Sequence, residues 1–227
     1  MERAQQHPES AAMFIASSER GPREAGGAEA GPQRLSTVQV AEIFYSVQGE
    51  GMWTGTPAVF VRLAGCNLSC TFCDTDYSLS FIASVDDVVA RVRAEGGDCP
   101  MVVITGGEPF AQAIAPALID ALIDDGRRVH IESNGTIDVP LPMEVWLTIS
   151  PKERLHPAMA AQASEAKLIV DGRVPDEWIA AFPPQTPILL QPEGNKPANI
   201  ALALAAVKAN PDRYRLSLQT HKFIGVR

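Results

Sequence analysis

The chain has 227 residues, 46% of them apolar and 20% charged, with a formal net charge of −8 at pH 7 and a pI near 5.0. That balance describes a soluble globular chain with enough length to bury a core as one domain, and it excludes the basic face of a general nucleic-acid binder. No apolar run approaches the roughly 20 residues that cross a bilayer, and three of the four cysteines fall within eight residues, a spacing that fits metal ligation in a reducing, cytoplasmic compartment better than disulfides.

Residues 1–37 differ in composition from the rest. From Ser17 to Gln33 the run is dominated by Gly, Ala and charge, with too little apolar surface to offset the entropy of ordering it. The expectation is a disordered arm, or an extension from an upstream start. Ala11–Ala16 is too short for a signal-peptide core, and acidic residues crowd the N-terminus. Residues 38–227 form the body.

In the body, strand-like and helix-like stretches alternate, which predicts repeated βα units on a largely parallel sheet. Ala58–Leu63 reads as a buried strand from its β-branched and aromatic content. Ser84 with Asp87 three residues on predicts a capping box for a helix through Ala94, and Gly96-Gly97 stops it. Met101–Thr105 is the next strand. Ala113–Asp125 is helical provided Pro116 lies in its first turn, and Gly126 supplies the stop. Arg128–Glu132, Trp146–Ile149, Lys167–Val170 and Ile188–Leu190 read as strands, and Asp176–Ala181 as a short helix. Asn199 is expected to cap Ile200–Ala209, which Asn210-Pro211 ends, and Tyr214–Leu218 is the last strand.

The chemistry gathers at strand ends. Cys66, Cys70 and Cys73 stand at the spacing C-x3-C-x2-C directly after the first buried strand, in a loop where open α/β sheets carry their sites. Three thiolates suit a 4Fe–4S cluster with one iron left open, whereas a structural zinc site wants four protein ligands. Cys99 lies before another strand, and His7, His130, His156 and His221 form no ligand pattern with the triplet. Thr105-Gly106-Gly107-Glu108-Pro109, Glu132-Ser133-Asn134-Gly135-Thr136, Ser150-Pro151-Lys152 and Gln191-Pro192-Glu193-Gly194 all follow strands as well. Each has a plain reading as turn or cap chemistry, and each could gather at one mouth.

C-x3-C-x2-C after a first strand, with Thr105–Pro109 after a second, resembles the radical S-adenosylmethionine (SAM) enzymes. More narrowly, Glu42–Gly51, Cys73-Asp74-Thr75-Asp76 and Gln219-Thr220-His221-Lys222 resemble the 7-carboxy-7-deazaguanine synthase family, and the likeness covers roughly Val38 to Arg227. It implies a partial (β/α) barrel with the cysteine loop at its top. It also implies one 4Fe–4S cluster on Cys66, Cys70 and Cys73. SAM would be held by Phe72, Gly106, Gly107, Glu108, Glu132, Asn134, Ser150, Pro151, Lys152, Gln191, Pro192, Glu193 and Gly194. Phe72 stacks near the adenine or merely covers the cluster. Magnesium would sit on Thr75, whose bland reading is a polar loop. The implied substrate is 6-carboxy-5,6,7,8-tetrahydropterin, contacted by Val47, Gln48, Gly49, Glu50, Arg62, Thr105, His221 and Arg227. Arg62 would pair its carboxylate, and Arg227 would offer only its backbone.

By the same resemblance, a hydrogen atom leaves C6 of the pterin, the ring contracts, and ammonia is lost on the way to 7-carboxy-7-deazaguanine, a precursor of queuosine. SAM is regenerated, and no side chain need act as a general base. A flavodoxin or ferredoxin reductant and a homodimer are the implied partners. Two alternatives are another small radical SAM enzyme, such as a glycyl-radical activase, and a zinc-binding interaction module. The first would lack both the Gln-Gly-Glu-Gly segment and the Gln-Thr-His-Lys ending, which are present here.

Overall fold

The first strand, β1 (Thr37–Val47), opens with Val38 and Val40 fully buried between exposed neighbours, the two-residue period of a sheet with one covered face. It is part of a computed structural model that describes residues 37–227. The expected arm at residues 1–37 lies outside them, except that Thr37 begins this strand.

Eight further strands follow in the described residues: β2 (Pro57–Leu63), β3 (Phe81–Ser84), β4 (Met101–Gly106), β5 (Arg128–Ser133), β6 (Trp146–Ile149), β7 (Glu165–Val170), β8 (Ile188–Pro192) and β9 (Tyr214–Leu216). They form one sheet in the order β3-β1-β2-β4-β5-β6-β7-β8-β9. β1 pairs antiparallel with β2 and β3, and from β2 to β9 every pairing is parallel. The carboxyl ends of those seven strands therefore lie on one rim. The sheet curls without closing, a partial barrel as expected. Thr220 N–H donates to Gly49 O at 2.9 Å and Ser217 Oγ accepts from Gly51 N–H at 3.0 Å, so the β1–β2 loop spans from β1 toward the β9 side.

Alternation along the strands sorts the side chains into two faces. Val59, Val61 and Leu63 of β2, Val102 and Ile104 of β4, and Ala166, Leu168 and Val170 of β7 belong to the main apolar core under the helices. The opposite parity points into the lumen, where Phe44, Ala58, Phe60, Met101 and Val103 form a smaller cluster. Trp53 packs edge-on against His130 (4.9 Å) and Trp146 (5.5 Å) near the starts of β5 and β6. Burial, with the Arg128 guanidinium beside it, pushes His130 down to about 4, so this imidazole is neutral near pH 7.

The helices are α1 (Val85–Gly96), α2 (Ala115–Asp124), α3 (Pro157–Gln162), α4 (Pro197–Ala209) and α5 (Thr220–Ile224). The Ser84–Asp87 capping box is present at α1, and Gly97 follows its last residue at φ 53°. A cap contributes roughly 1 kcal/mol. Full burial of Val88 and Val92 on the same helix contributes roughly 1.5–3 kcal/mol each, so packing outweighs the cap in holding α1. Pro116 lies in the first turn of α2.

Several expectations need correction. Asp176–Ala181 is a 3-10 helix, and the last strand stops at Leu216 rather than Leu218. Asn199 lies inside α4, after the helix has begun at Pro197. Its side chain accepts from Gly172 N–H at 3.0 Å and donates to Glu193 O at 3.3 Å, tying the ends of β7 and β8 together instead of capping.

Candidate active site

One cavity opens at the rim formed by the carboxyl ends of the parallel strands. From the β2 side it is lined by Cys66, Leu68, Cys70, Phe72, Cys73, Asp74, Thr75 and Tyr77. Thr105, Gly106 and Gly107 follow from β4, Glu132, Ser133 and Asn134 from β5, and Ser150 and Lys152 from the segment after β6. Lys167 and Ile169 enter from β7, Gln191–Gly194 from β8, and Glu50 and Gln219 complete the wall. Six strand ends thus converge, as the sheet order requires.

The glycines act first on the protein itself. Gly106 has φ 147°, and a Cβ there would lie 2.2 Å from Leu63 O. A Cβ on Gly107 would lie 2.1 Å from Gly65 O and 2.6 Å from Cys66 Cβ. Only a glycine pair lets the end of β4 press against the root of the cysteine loop. Gly107 N–H and Glu108 N–H complete that contact, to Leu63 O (3.4 Å) and Gly65 O (3.1 Å).

Glu108, expected to face SAM, does not reach the cavity. It is fully buried behind it, accepting from Phe110 N–H (3.1 Å), Ser133 Oγ–H (2.9 Å) and Asn134 N–H (2.7 Å). Burial pushes this carboxyl up while the three donors draw it back. Its work is to clamp the ends of β4 and β5 together. Pro151 is buried and also stands off the cavity. The other eleven residues expected around SAM line it.

Of the residues expected to contact substrate, Glu50 and Thr105 line the cavity. Val47, Gln48, Gly49, Arg62, His221 and Arg227 do not. Val47 pairs with Pro57 at the far end of β1. Gln48 is buried just beneath the wall, where its amide donates to Glu132 Oε1 (3.3 Å) and accepts from Glu50 N–H (3.1 Å). Gly49 packs on His221, so closely that a Cβ would lie 2.3 Å from its Nδ1. Arg62 is paired with Glu42 at 2.8 Å, with its guanidinium 5.9 Å from the centre of the Phe44 ring. Arg227 pairs with the other oxygen of Glu42 and covers the same ring at 4.8 Å, while its carbonyl accepts from Ser46 Oγ–H at 2.7 Å. The chain end therefore lies over β1, and both arginines are engaged there.

Among the lining residues, Lys167, Tyr77, Leu68 and Ile169 carry no expectation from the sequence, while Ser133, Asp74 and Gln219 stand in the quoted motifs without an individual role. For Lys167 a signal existed: it interrupts the apolar run Ala166–Val170, and its parity sets it opposite Ala166, Leu168 and Val170. Gln219 donates to Glu50 Oε1 (3.1 Å) and to Asp74 Oδ2 (3.0 Å), and Lys222 pairs with Asp74, so α5 is fastened to the cysteine loop.

The residue types on the wall are those the implied groups would use. Cys66, Cys70 and Cys73 are free thiols on one wall. Burial pushes Cys66 and Cys70 up, and the neighbouring sulfurs add to it, so deprotonating them calls for a bound cation. Among the described residues, no three His, Cys, Asp or Glu side chains form a group able to hold a single metal ion. Three thiols without a fourth partner suit a cluster that keeps an open iron. Burial pushes Lys152 down to about 8, with Lys167 adding and Cys70 opposing, and its ammonium stands 5.8 Å from the Phe72 ring centre. Asp74 and Thr75 offer the hard oxygens magnesium prefers.

Comparison with known proteins places this geometry. The family model of the radical SAM superfamily matches residues 61–149, from β2 through the cysteine loop and the glycine pair to the end of β6. That class brings with it an iron–sulfur and SAM cofactor system. The 7-carboxy-7-deazaguanine synthase of Bacteroides thetaiotaomicron is 41% identical over 189 residues, covering 83% of this chain and 98% of that relative. The enzyme of the same name from Rhodospirillum rubrum is 33% identical, over 94% of this chain and 100% of its own. The crystal structure of QueE from Escherichia coli superposes with a TM-score of 0.72 at 31% identity, covering 82% of this chain and 95% of that one. The chain belongs to the 7-carboxy-7-deazaguanine synthase family of radical SAM lyases. No helix among the described residues is long and apolar enough to cross a membrane.

Proposed function

We propose that the protein converts 6-carboxy-5,6,7,8-tetrahydropterin to 7-carboxy-7-deazaguanine with loss of ammonia, in the synthesis of queuosine or another 7-deazapurine. The observation that carries this reading is that Glu50, from the Gln48-Gly49-Glu50 segment, opens onto the same cavity as the three cysteines. A pyrimidine edge bearing N–H donors and the cofactor's reacting end would share that cavity.

In this reading Cys66, Cys70 and Cys73 would hold a 4Fe–4S cluster, with SAM bound beside it in the same cavity. When bound, cluster and SAM supply one-electron, hydrogen-abstracting chemistry. The chain's own residues bind, orient and exclude water. Glu132, a partly exposed carboxylate at the end of β5, accepts from ribose hydroxyls. Asn134, Ser150 and Lys152 hold the methionyl end, and Gln191–Gly194 with Phe72 flank the adenine. Glu50 accepts from the N–H edge of the pterin, and the Thr105 hydroxyl adds a contact beside it. Thr75, with Asp74 adjacent, would hold magnesium, whose charge would polarise the substrate carboxylate. Arg62 meets the substrate carboxylate only after exchanging Glu42 for it, and Arg227 would contribute through its backbone. Gln219 and Lys222, bonded to Asp74, keep α5 closed against the cysteine loop and hold solvent off. A flavodoxin- or ferredoxin-type reductant, and a homodimer, belong to the same reading.

The test is anaerobic turnover with reductant, SAM, magnesium and 6-carboxytetrahydropterin, read by mass spectrometry. 7-Carboxy-7-deazaguanine is the expected product. Cleavage of SAM to 5′-deoxyadenosine with no deazaguanine would refute the substrate while leaving the superfamily chemistry standing.

A further inference from the structure

Lys167 is the one lysine of the sheet whose ammonium lies inside the barrel: the residue is 6% exposed, on β7, opposite the apolar parity of its strand. Taking an ammonium out of water costs several kcal/mol unless charges and hydrogen bonds replace the lost hydration. Here two carboxylates do so. Nζ pairs with Glu50 and lies 3.4 Å from Glu132 Oε1. The two acids come from different directions, Glu50 from the β1–β2 loop and Glu132 from the end of β5, and both line the cavity.

Their remaining oxygens are also engaged. Glu50 Oε1 accepts from Gln219 at 3.1 Å, and Glu132 Oε2 accepts from Thr105 Oγ1–H at 3.0 Å. A third carboxylate, Glu165, lies two residues back on β7, but it is occupied by Met52 N–H (2.9 Å) and Thr148 Oγ1–H (2.8 Å). The ammonium therefore stands between the acid read as facing the substrate and the acid read as facing the SAM ribose.

We propose that Lys167 is a positioning residue that holds Glu50 and Glu132 in place as acceptors, one for the N–H edge of the substrate and one for the hydroxyls of SAM, and so couples the two subsites. This rests on the pterin reading above. The pairing geometry carries it, and the titration agrees. Burial alone pushes the Glu50 carboxyl up, and the Lys167 ammonium, helped by Gln191 and Gln219, brings it below its ordinary value. Burial likewise pushes Lys167 down, and Glu132, Glu50 and Glu165 raise it on balance. Two further charged groups stand close by: Lys152, whose ammonium feels the Glu50 carboxylate, and Asp74, which shares the Gln219 amide with Glu50. Without Lys167, burial of Glu50 is opposed only by Gln191 and Gln219, so Glu50 takes up a proton at a higher pH than in the wild type and then ceases to be a full acceptor.

The test is calorimetric titration of 6-carboxytetrahydropterin, anaerobic and without reductant, into cluster-loaded protein with SAM from pH 6 to 8.5. Wild type is expected to show an affinity nearly flat with pH. Lys167→Met should bind roughly 10- to 100-fold more weakly at pH 7, with the loss growing as pH falls, and Lys167→Arg should restore part of it. Glu50→Gln/Lys167→Met, which removes the buried pair together and is compared with Glu50→Gln alone, should bind no more weakly than Lys167→Met and lose the pH dependence. Wild-type affinity with a flat profile in Lys167→Met overturns the inference. So do losses in the double variant that simply multiply those of the two single variants. A wild-type protein that binds no pterin refutes the substrate reading and this inference together, whereas turnover by wild type alongside unchanged binding in Lys167→Met refutes this inference alone.

Discussion

Glu108, just past the end of β4, and Lys167, inside β7, both carry buried ionisable side chains, and burial sends them to different tasks. Among the described residues Glu108 meets no cation. Its two oxygens are consumed by Phe110 N–H, Ser133 Oγ–H and Asn134 N–H, so it acts as a clamp. Glu108→Ala leaves those three donors unpaired in the interior and is expected to lower stability by roughly 2–4 kcal/mol. Glu108→Gln, which keeps one acceptor oxygen, should lose less. Thermal unfolding checks this, and an unchanged midpoint in Glu108→Ala would refute the clamp. In sequence the residue stands beside Gly106-Gly107 and reads as a ligand group. Motif spacing shows which loop carries a carboxylate, but not which side of the loop it takes. Lys167 is the converse case: a lone charge inside an apolar strand reads as part of that strand until its partners, Glu50 and Glu132, are seen in space.

At the scale of elements, the parallel strands and α1, α2 and α4 were readable because each carries its own period, cap or stop. Ser84 and Asp87 announce α1, and Gly126 ends α2. What was missed depends on partners. β3 has four residues and exists through its antiparallel pairing with β1. α3 has six, fewer than a helix needs to stand alone. β1 does alternate at its start, but its later residues are only partly buried, and the Glu42–Gly51 segment was read for its motif rather than its period. The glycine pair was found, and its reason lies between elements. Because a Gly107 Cβ would collide with Gly65 O and Cys66 Cβ, Gly107→Ala must displace the root of the cysteine loop. The expected outcome is folded protein with near-normal circular dichroism and at least a several-fold drop in bound iron after reconstitution. Full iron content in that variant would refute the packing role.

For the whole molecule, the arrangement follows from topology. Six strands that share a rim bring together residues spread from Cys66 to Gln219, and the β1–β2 loop carries Glu50 to the same place from outside the parallel series. The family was legible in short motifs because those motifs are the strand ends that meet. The substrate side was less so. Gln48, Arg62, His221 and Arg227 are near the site in sequence logic, yet they are engaged with Glu132, Glu42, Gly49 and Phe44 in space. The central claim is that one cavity places the pterin directly against SAM. Substrate carrying deuterium at C6 tests it: turnover should move deuterium into the recovered SAM, and Cys70→Ala should give neither transfer nor product. Deazaguanine formed with the deuterium released only to water would contradict the claim.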